Sequence, residues 1–184
     1  KRGETVLAKD IQLYIKGPEK VMIIGKNGVG KTTLMNEILN HFNNQSRFKF
    51  GYMPQNYEEL MDQKSNVTEW IAQSQKKDIL TEVRLLLGNL KFTSEEMEKK
   101  LEDLSGGQRA KAFLARFVYH KAEVLLLDEP TRNLSPLSNP VIREILDDFG
   151  GAIIAITHDR LLIDEVGTTV YELTGDGLQA LKRI

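Results

Sequence analysis

The stretch Val21-Met22-Ile23-Ile24-Gly25-Lys26-Asn27-Gly28-Val29-Gly30-Lys31-Thr32-Thr33-Leu34 decides the fold. Its first four residues form an apolar run without alternation, ended by glycine, which reads as a strand covered on both faces. A glycine-rich turn follows and opens directly into a helix over residues 32–39. Apolar runs of the same kind recur at residues 124–127 and at Ala152–Ile156, and a further strand is expected over residues 48–53, before Pro54. Helices are expected between them, one opening at Ser105-Gly106-Gly107-Gln108 and one at Asn139-Pro140, with Asn139 as N-cap and Gly150-Gly151 as the stop. Strand, helix and buried strand in succession imply an α/β fold with a mostly parallel central sheet flanked by helices. Residues 169–173 and 178–181, around Thr174-Gly175-Asp176-Gly177, suggest a closing hairpin. Ile11, Leu13 and Ile15 alternate with Gln12 and Tyr14, which predicts a half-buried strand ahead of a Gly17-Pro18 turn.

From Val67 to Lys100 the helical signals dominate. Ile79, Val83 and Leu86 have three- to four-residue spacing, and Thr93-Ser94-Glu95-Glu96 is a capping box. A helical subdomain over approximately residues 57–118 is expected, inserted in a single domain that takes up the whole chain, 1–184.

Composition narrows the class. The 184 residues hold 25 Lys and Arg against 26 Asp and Glu, a net charge of −1, which excludes a broadly basic nucleic-acid coat or a polybasic membrane binder. No cysteine is present, so disulfide frameworks, thiol catalysis and thiolate metal sites are excluded, and a reducing cytosol fits. The longest uncharged apolar stretches, such as residues 150–156, fall far short of the roughly 18 residues that span a bilayer. The chain starts at Lys1 without an initiator methionine or a signal-type segment, which suggests an excised piece of a longer protein.

The chemistry lies at the ends of the buried strands. Residues 25–32 match the phosphate-loop pattern and stand between a strand and a helix, where that pattern has to be. Gly25, Asn27, Gly28 and Gly30 let successive backbone N–H groups curl around a polyphosphate. Lys31 reaches the β- and γ-phosphates, Thr32 offers a hydroxyl to Mg²⁺, and Thr33 backs the site. After the second buried strand, Asp128 is the expected metal-side carboxylate and Glu129 the expected general base for the water that attacks the γ-phosphorus. His158 follows the third strand and would contact the γ-phosphate. Gln55 follows the strand over residues 48–53 and would contact Mg²⁺ or the attacking water. In open α/β sheets, ligands bind beyond the carboxyl ends of the strands, so these groups are expected to share one crevice. Ser105, Gly106, Gly107 and Gln108 form a second anion site: a serine-capped helix start where two glycines let a phosphate approach the backbone.

Phosphate loop, Gln55, Leu104-Ser105-Gly106-Gly107-Gln108, residues 124–129 and His158 come in the order shared by ATP-binding cassette (ABC) ATPases, which the chain resembles over nearly its whole length. The resemblance implies a P-loop NTPase fold, ATP and Mg²⁺ as ligands, and ATPase activity that is weak in the isolated domain. It also implies a second cassette as partner, from the same polypeptide or by self-pairing, whose γ-phosphate Ser105 to Gln108 would contact. Residues 128–144, Asp128-Glu129-Pro130-Thr131-Arg132-Asn133-Leu134-Ser135-Pro136-Leu137-Ser138 onward, together with Thr157-His158-Asp159-Arg160, are similar to the second cassette of the soluble ABC-F proteins, especially the ribosome-protection branch that confers antibiotic resistance. That likeness implies a cytoplasmic protein with no membrane insertion, acting on the ribosome and tRNA through its parent protein. A transporter's ATPase subunit is the alternative. The chain departs from the family in two places. Residues 133–138 lack the usual aspartate, which implies altered communication between paired ATP sites. No aromatic residue stands in Lys1 to Thr5, just before Val6-Leu7, where the family places its adenine-stacking ring.

Overall fold

Six strands form one sheet in the order β2-β3-β4-β1-β5-β6, in a computed structural model that describes residues 11–181 apart from Ser46 and Asn133. They are β1 (Lys20–Ile24), β2 (Phe50–Met53), β3 (Val124–Asp128), β4 (Ala152–Ile156), β5 (Thr169–Thr174) and β6 (Gly177–Leu181). Every neighbouring pair is parallel except the β5–β6 hairpin. The chain divides into two compact units: one runs up to Pro54 and includes Ala122–Pro130 and everything from Phe149 on, and the other comprises Gln55–Lys121 and Thr131–Asp148.

The first unit holds the sheet, and its strand sequences explain why it is covered twice. Val21, Ile23, Leu126, Ile154 and Ile156 cluster with Met35 of α1 (Lys31–Gln45) on one face. Alternation along the strands turns Met22, Leu125, Leu127 and Ile153 to the other face, where each is at most 1% exposed. Such full burial contributes about 1.5–3 kcal/mol per side chain. Past the end of α7 (Arg160–Glu165), Gly167 packs so closely on this second face that a Cβ would lie 2.7 Å from Met22 Cγ. α1 runs six residues beyond the expected end at Leu39. Asn40, Asn43 and Asn44 are poor helix formers, but Leu34, Ile38 and Phe42 continue one apolar face at helical spacing, and Phe42 meets Phe50 edge-on at 5.4 Å.

Two expectations are corrected. Residues 11–15 form no strand, although Ile11, Leu13 and Ile15 are half-buried against the core and Gln12 and Tyr14 are exposed. Alternation specifies which side chains face the core; a strand also needs a ladder partner, and none pairs with these residues among the described ones. Asn139 is not an N-cap: it is the first residue of α6 (Asn139–Asp147), and Ser138 occupies the cap. The turn that feeds α6 closes at Ser138, whose N–H donates to Ser135 O at 2.9 Å, so the helix starts at Asn139, one residue earlier than the Pro140 start that a cap at Asn139 implies.

In the second unit the helical insertion resolves into α2 (Val67–Ala72), α3 (Lys77–Asn89) and α4 (Ser94–Glu98), followed by α5 (Gly106–Tyr119). Gln73, in the left-handed region at φ 49°, ends α2. Trp70, Tyr57 and Phe117 pack around Phe113 with ring centroids 5.1–5.7 Å away, and the Arg116 guanidinium lies over Trp70 at 4.4 Å.

Candidate nucleotide-binding site

The register of the sheet brings three functional segments of the first unit to one edge. Ile156, the last residue of β4, pairs with Ile23 of β1 on one side and with Asp128 of β3 on the other. The phosphate loop leaves β1 just beyond this row, Glu129 follows Asp128, and His158 stands two residues past Ile156. Backbone bonds continue the row past the strands: Thr157 N donates to Ile23 O at 3.2 Å and Glu129 N to Ile156 O at 2.9 Å.

In the loop, Gly25, Gly28 and Gly30 all have positive φ, at 153°, 82° and 111°. Gly25 is also held by close approach, since a Cβ there would stand 2.7 Å from Leu173 O; at Gly28 a Cβ would meet nothing within 4 Å. The Lys31 ammonium donates to Gly25 O at 2.7 Å and Lys26 O at 3.2 Å, so it lies over the loop it serves. No acidic residue occupies the first turn of α1, in contrast to α2, α3 and α4, so the positive end of its dipole is left for an external anion. A Lys31→Ala protein is therefore expected to bind ATP about tenfold more weakly or worse, the loss of one charge-assisted hydrogen bond to phosphate. Equilibrium titration with a fluorescent ATP analogue checks it.

Asp128 ends β3 at 3% exposure, close enough to Tyr52 that the carboxylate adds to burial in raising the Tyr52 phenol above its ordinary pKa. The donor set fits Mg²⁺. The Thr32 hydroxyl and the Asp128 carboxylate are hard oxygen ligands, and the described residues contain no cluster of three or more His, Cys, Asp or Glu that would make an all-protein cage. Mg²⁺ commonly takes one or two protein oxygens and completes its shell with phosphate and water. Glu129 adopts φ 55°, a left-handed conformation rare for a side chain of its kind. Its carboxylate, 13% exposed, accepts from His158 N at 3.3 Å and lies 3.5 Å from His158 Nε2. A carboxylate and a histidine are thereby paired just beyond the ends of β3 and β4.

Gln55 and Ser105–Gln108 belong to the second unit. The Gln55 side-chain carbonyl, the atom it would offer to a metal, accepts from Arg132 Nη1 at 2.7 Å. Ser105 caps α5 in a complete capping box: Gln108 N donates to Ser105 Oγ at 3.3 Å and Ser105 N to Gln108 Oε1 at 2.9 Å. Helix geometry leaves the Gly106 and Gly107 N–H groups without an intrahelical acceptor, and α5, like α1, has no acid in its first turn. Ser138 packs onto Gly107 so tightly that a Cβ there would overlap it at 2.1 Å, and Leu134 lies 3.8 Å from the Cβ position of Gly106. Arg132, Ser138 and the Glu96 carboxylate next to Gln108 are the neighbours that sequence reasoning missed. Only Glu96 left a signal, as a helix start. Lys1 to Thr5, where the adenine-stacking ring was sought, and Asn133 lie outside the described residues.

The family model described as ABC transporter matches residues 8–132. The chain is 30% identical over 184 residues to the Ribosome protection protein VmlR of Bacillus subtilis, covering 96% of this chain and 33% of that protein. It is 29% identical over 183 residues to ABC transporter F family member 2 of Arabidopsis thaliana, covering 95% of this chain and 27% of that one. It thus spans about a third of the length of these relatives. The dimeric post-hydrolysis structure of the ATP-binding cassette MJ0796 bound to ADP and Pi superposes with a TM-score of 0.76 at 21% identity, covering 100% of this chain and 95% of that one, which shows a shared fold. Among the described residues no helix is long and apolar enough to cross a membrane. With a phosphate loop on β1, an acidic pair after β3 and a model match that includes both, the chain belongs to the ABC transporter family and is one of its ATP-hydrolysing cassettes.

Proposed function

We propose that this chain is a cassette of a cytoplasmic ABC-F protein whose ATP-driven pairing with a second cassette controls binding to the ribosome, with protection from antibiotics as the outcome. The whole chain is one nucleotide-binding domain, its helical subdomain extending over approximately residues 57–118. The pairing is supported by two helix starts with no acid in the first turn, α1 behind the glycine loop in one unit and α5 in the other, each of which leaves amides for an anion. The loop amides at Gly25, Asn27, Gly28 and Gly30 and the Lys31 ammonium bind the polyphosphate, with Thr33 behind them. Thr32 and Asp128 would hold Mg²⁺, which would neutralise phosphate charge there, and Gln55 would contact the metal or the attacking water. Glu129 takes the proton of the attacking water, and His158 contacts the γ-phosphate. The Ser105 hydroxyl and the amides of Gly106 and Gly107 meet the γ-phosphate held by the second cassette, with Gln108 bracing them.

The ribosomal target is supported by the name of VmlR and by the ABC-F name of the Arabidopsis relative. Closure that depends on ATP resets only on hydrolysis, so a protein unable to hydrolyse should stay on its target, the population shifting by the differential affinity of ATP for the closed state. Glu129→Gln, with the matching change in the second cassette, is expected to co-sediment with ribosomes in ATP and not in ADP. Recovery of that protein with an integral membrane partner instead, and none on ribosomes, would establish the transporter-subunit alternative and remove the ribosomal reading.

A further inference from the structure

Two capping boxes are joined in the second unit. In the first, Thr93 N donates to Glu96 Oε2 at 2.8 Å and Glu96 N to Thr93 Oγ1 at 3.1 Å. In the second, Ser105 and Gln108 exchange the equivalent bonds. The link is Gln108 Nε2, which donates to Glu96 Oε1 at 2.7 Å. Beneath it lies Lys111, on the next turn of α5 and 7% exposed, its ammonium 3.5 Å from Glu96 Oε2, bonded to Lys91 O at 3.0 Å and seated 3.8 Å from the Phe92 ring centroid.

This arrangement settles a choice that Gln108 alone leaves open. An amide side chain has a donor end and an acceptor end, and its terminal torsion is broad and nearly two-fold, so an isolated Gln108 could present either end to Ser105 N. Only the acceptor end completes the cap. An ionised carboxylate accepts and never donates, so Glu96 takes the Nε2 end and turns Oε1 toward Ser105 N. The segment being braced needs bracing, because Gly106 and Gly107 carry no side chains to restrict them. Burial raises the Glu96 carboxyl, but the Thr93 N–H, the Gln108 amide and the Lys111 charge together outweigh it and hold the group below the usual carboxylate range, ionised at neutral pH.

We infer that Glu96 is a positioning residue for ATP turnover: through Gln108 it fixes the direction in which Ser105, Gly106 and Gly107 present their donors, with Lys111 as its buried counter-charge. The inference rests on the reading of Ser105–Gln108 as a phosphate-contacting end, and it accounts for why Gln108 is held from both sides.

Exchanging the two side chains tests it. In the full protein, Gln108→Glu sets two carboxylates against each other, and Glu96→Gln leaves a single oxygen to serve donors that now occupy two. The double variant Glu96→Gln with Gln108→Glu restores the hydrogen-bond match of both caps and keeps one carboxylate in the pair for Lys111: the carboxylate at 108 accepts from Ser105 N and from the new amide at 96, whose oxygen accepts from Thr93 N. Coupled neighbours of this kind commonly interact strongly enough to change a rate about tenfold. The Gln108→Glu protein should accordingly lose about tenfold in kcat, Glu96→Gln severalfold, and the double variant should return to within about threefold of the parent. Melting temperature and the affinity of a fluorescent ADP analogue are followed in parallel, and the latter should stay unchanged because the phosphate loop is untouched and ADP lacks the γ-phosphate that Ser105–Gly107 would contact. A double variant no faster than the slower single one, or parental kcat in both singles, overturns the inference. Should Gln108→Glu fail to fold, the comparison between Glu96→Gln and the double variant decides in the same way. Gly106→Asp, run alongside, separates the two levels: parental turnover there overturns the phosphate-contact reading itself, whereas lost turnover there with parental kcat in both swap singles overturns only the role of Glu96.

Discussion

A Glu129→Gln protein is expected to hydrolyse ATP about 10²–10⁴-fold more slowly than the parent, the usual worth of a positioned general base, while holding Mg·ATP as tightly. The substitution keeps size and shape but exchanges a group that accepts a proton for one that does not. Its surroundings change little: His158 N, which donates to Glu129 Oε2 at 3.3 Å, finds an amide oxygen in the same place, and the loop and Lys31 are not touched. Phosphate release in a single turnover, measured with both cassettes present, gives the rate of the chemical step, and a titration with the fluorescent analogue gives binding. Equal rates in variant and parent would remove Glu129 from the role of base.

Gly106→Asp is expected to lower turnover at least thirty-fold, from an added carboxylate facing an incoming phosphate; like charges brought together across an interface cost several kcal/mol, and about 2 kcal/mol is already that factor. The position separates charge from packing. A Cβ at Gly106 meets only Leu134 Cδ2 at an ordinary 3.8 Å, whereas at Gly107 it would collide with Ser138 at 2.1 Å. An aspartate in the first turn of a helix is itself favourable to the dipole, so the variant should melt no lower than the parent. Lost turnover with a melting temperature no lower and with unchanged affinity for ADP, which lacks the γ-phosphate, is the expected pattern. Parental turnover would mean that no anion approaches the start of α5.

The parts of the fold legible in the sequence were those whose period is undiluted. β1, β3 and β4 are continuous apolar runs, and the structure buries nearly every residue of them. Both capping boxes were readable too, because they depend on residues three apart. What escaped depends on distant neighbours. The six extra residues of α1 are held by Phe42 against Phe50 on another strand, which local propensity does not report. The alternation of residues 11–15 was read correctly as burial and wrongly as a strand, since no ladder is written in a side-chain pattern. At the site, the residue types and their order were plain, while the pairing of Gln55 with Arg132, 77 residues away, and of Gln108 with Glu96 could come only from coordinates.

The left-handed backbone at Glu129 gives that position an unusual place among the chain's possible variants. Holding a side chain at φ 55° costs on the order of 1–3 kcal/mol, a cost that glycine avoids. Any glutamate codon becomes a glycine codon by one nucleotide change. The substitution that most easily relaxes the backbone here is therefore also within easiest genetic reach, and it removes the carboxylate proposed as the base. A library selected only for heat resistance is expected to accumulate Glu129→Gly chains that fold well and hydrolyse ATP about 10²–10⁴-fold more slowly, so a screen for stability and a screen for turnover should pull this one position in opposite directions.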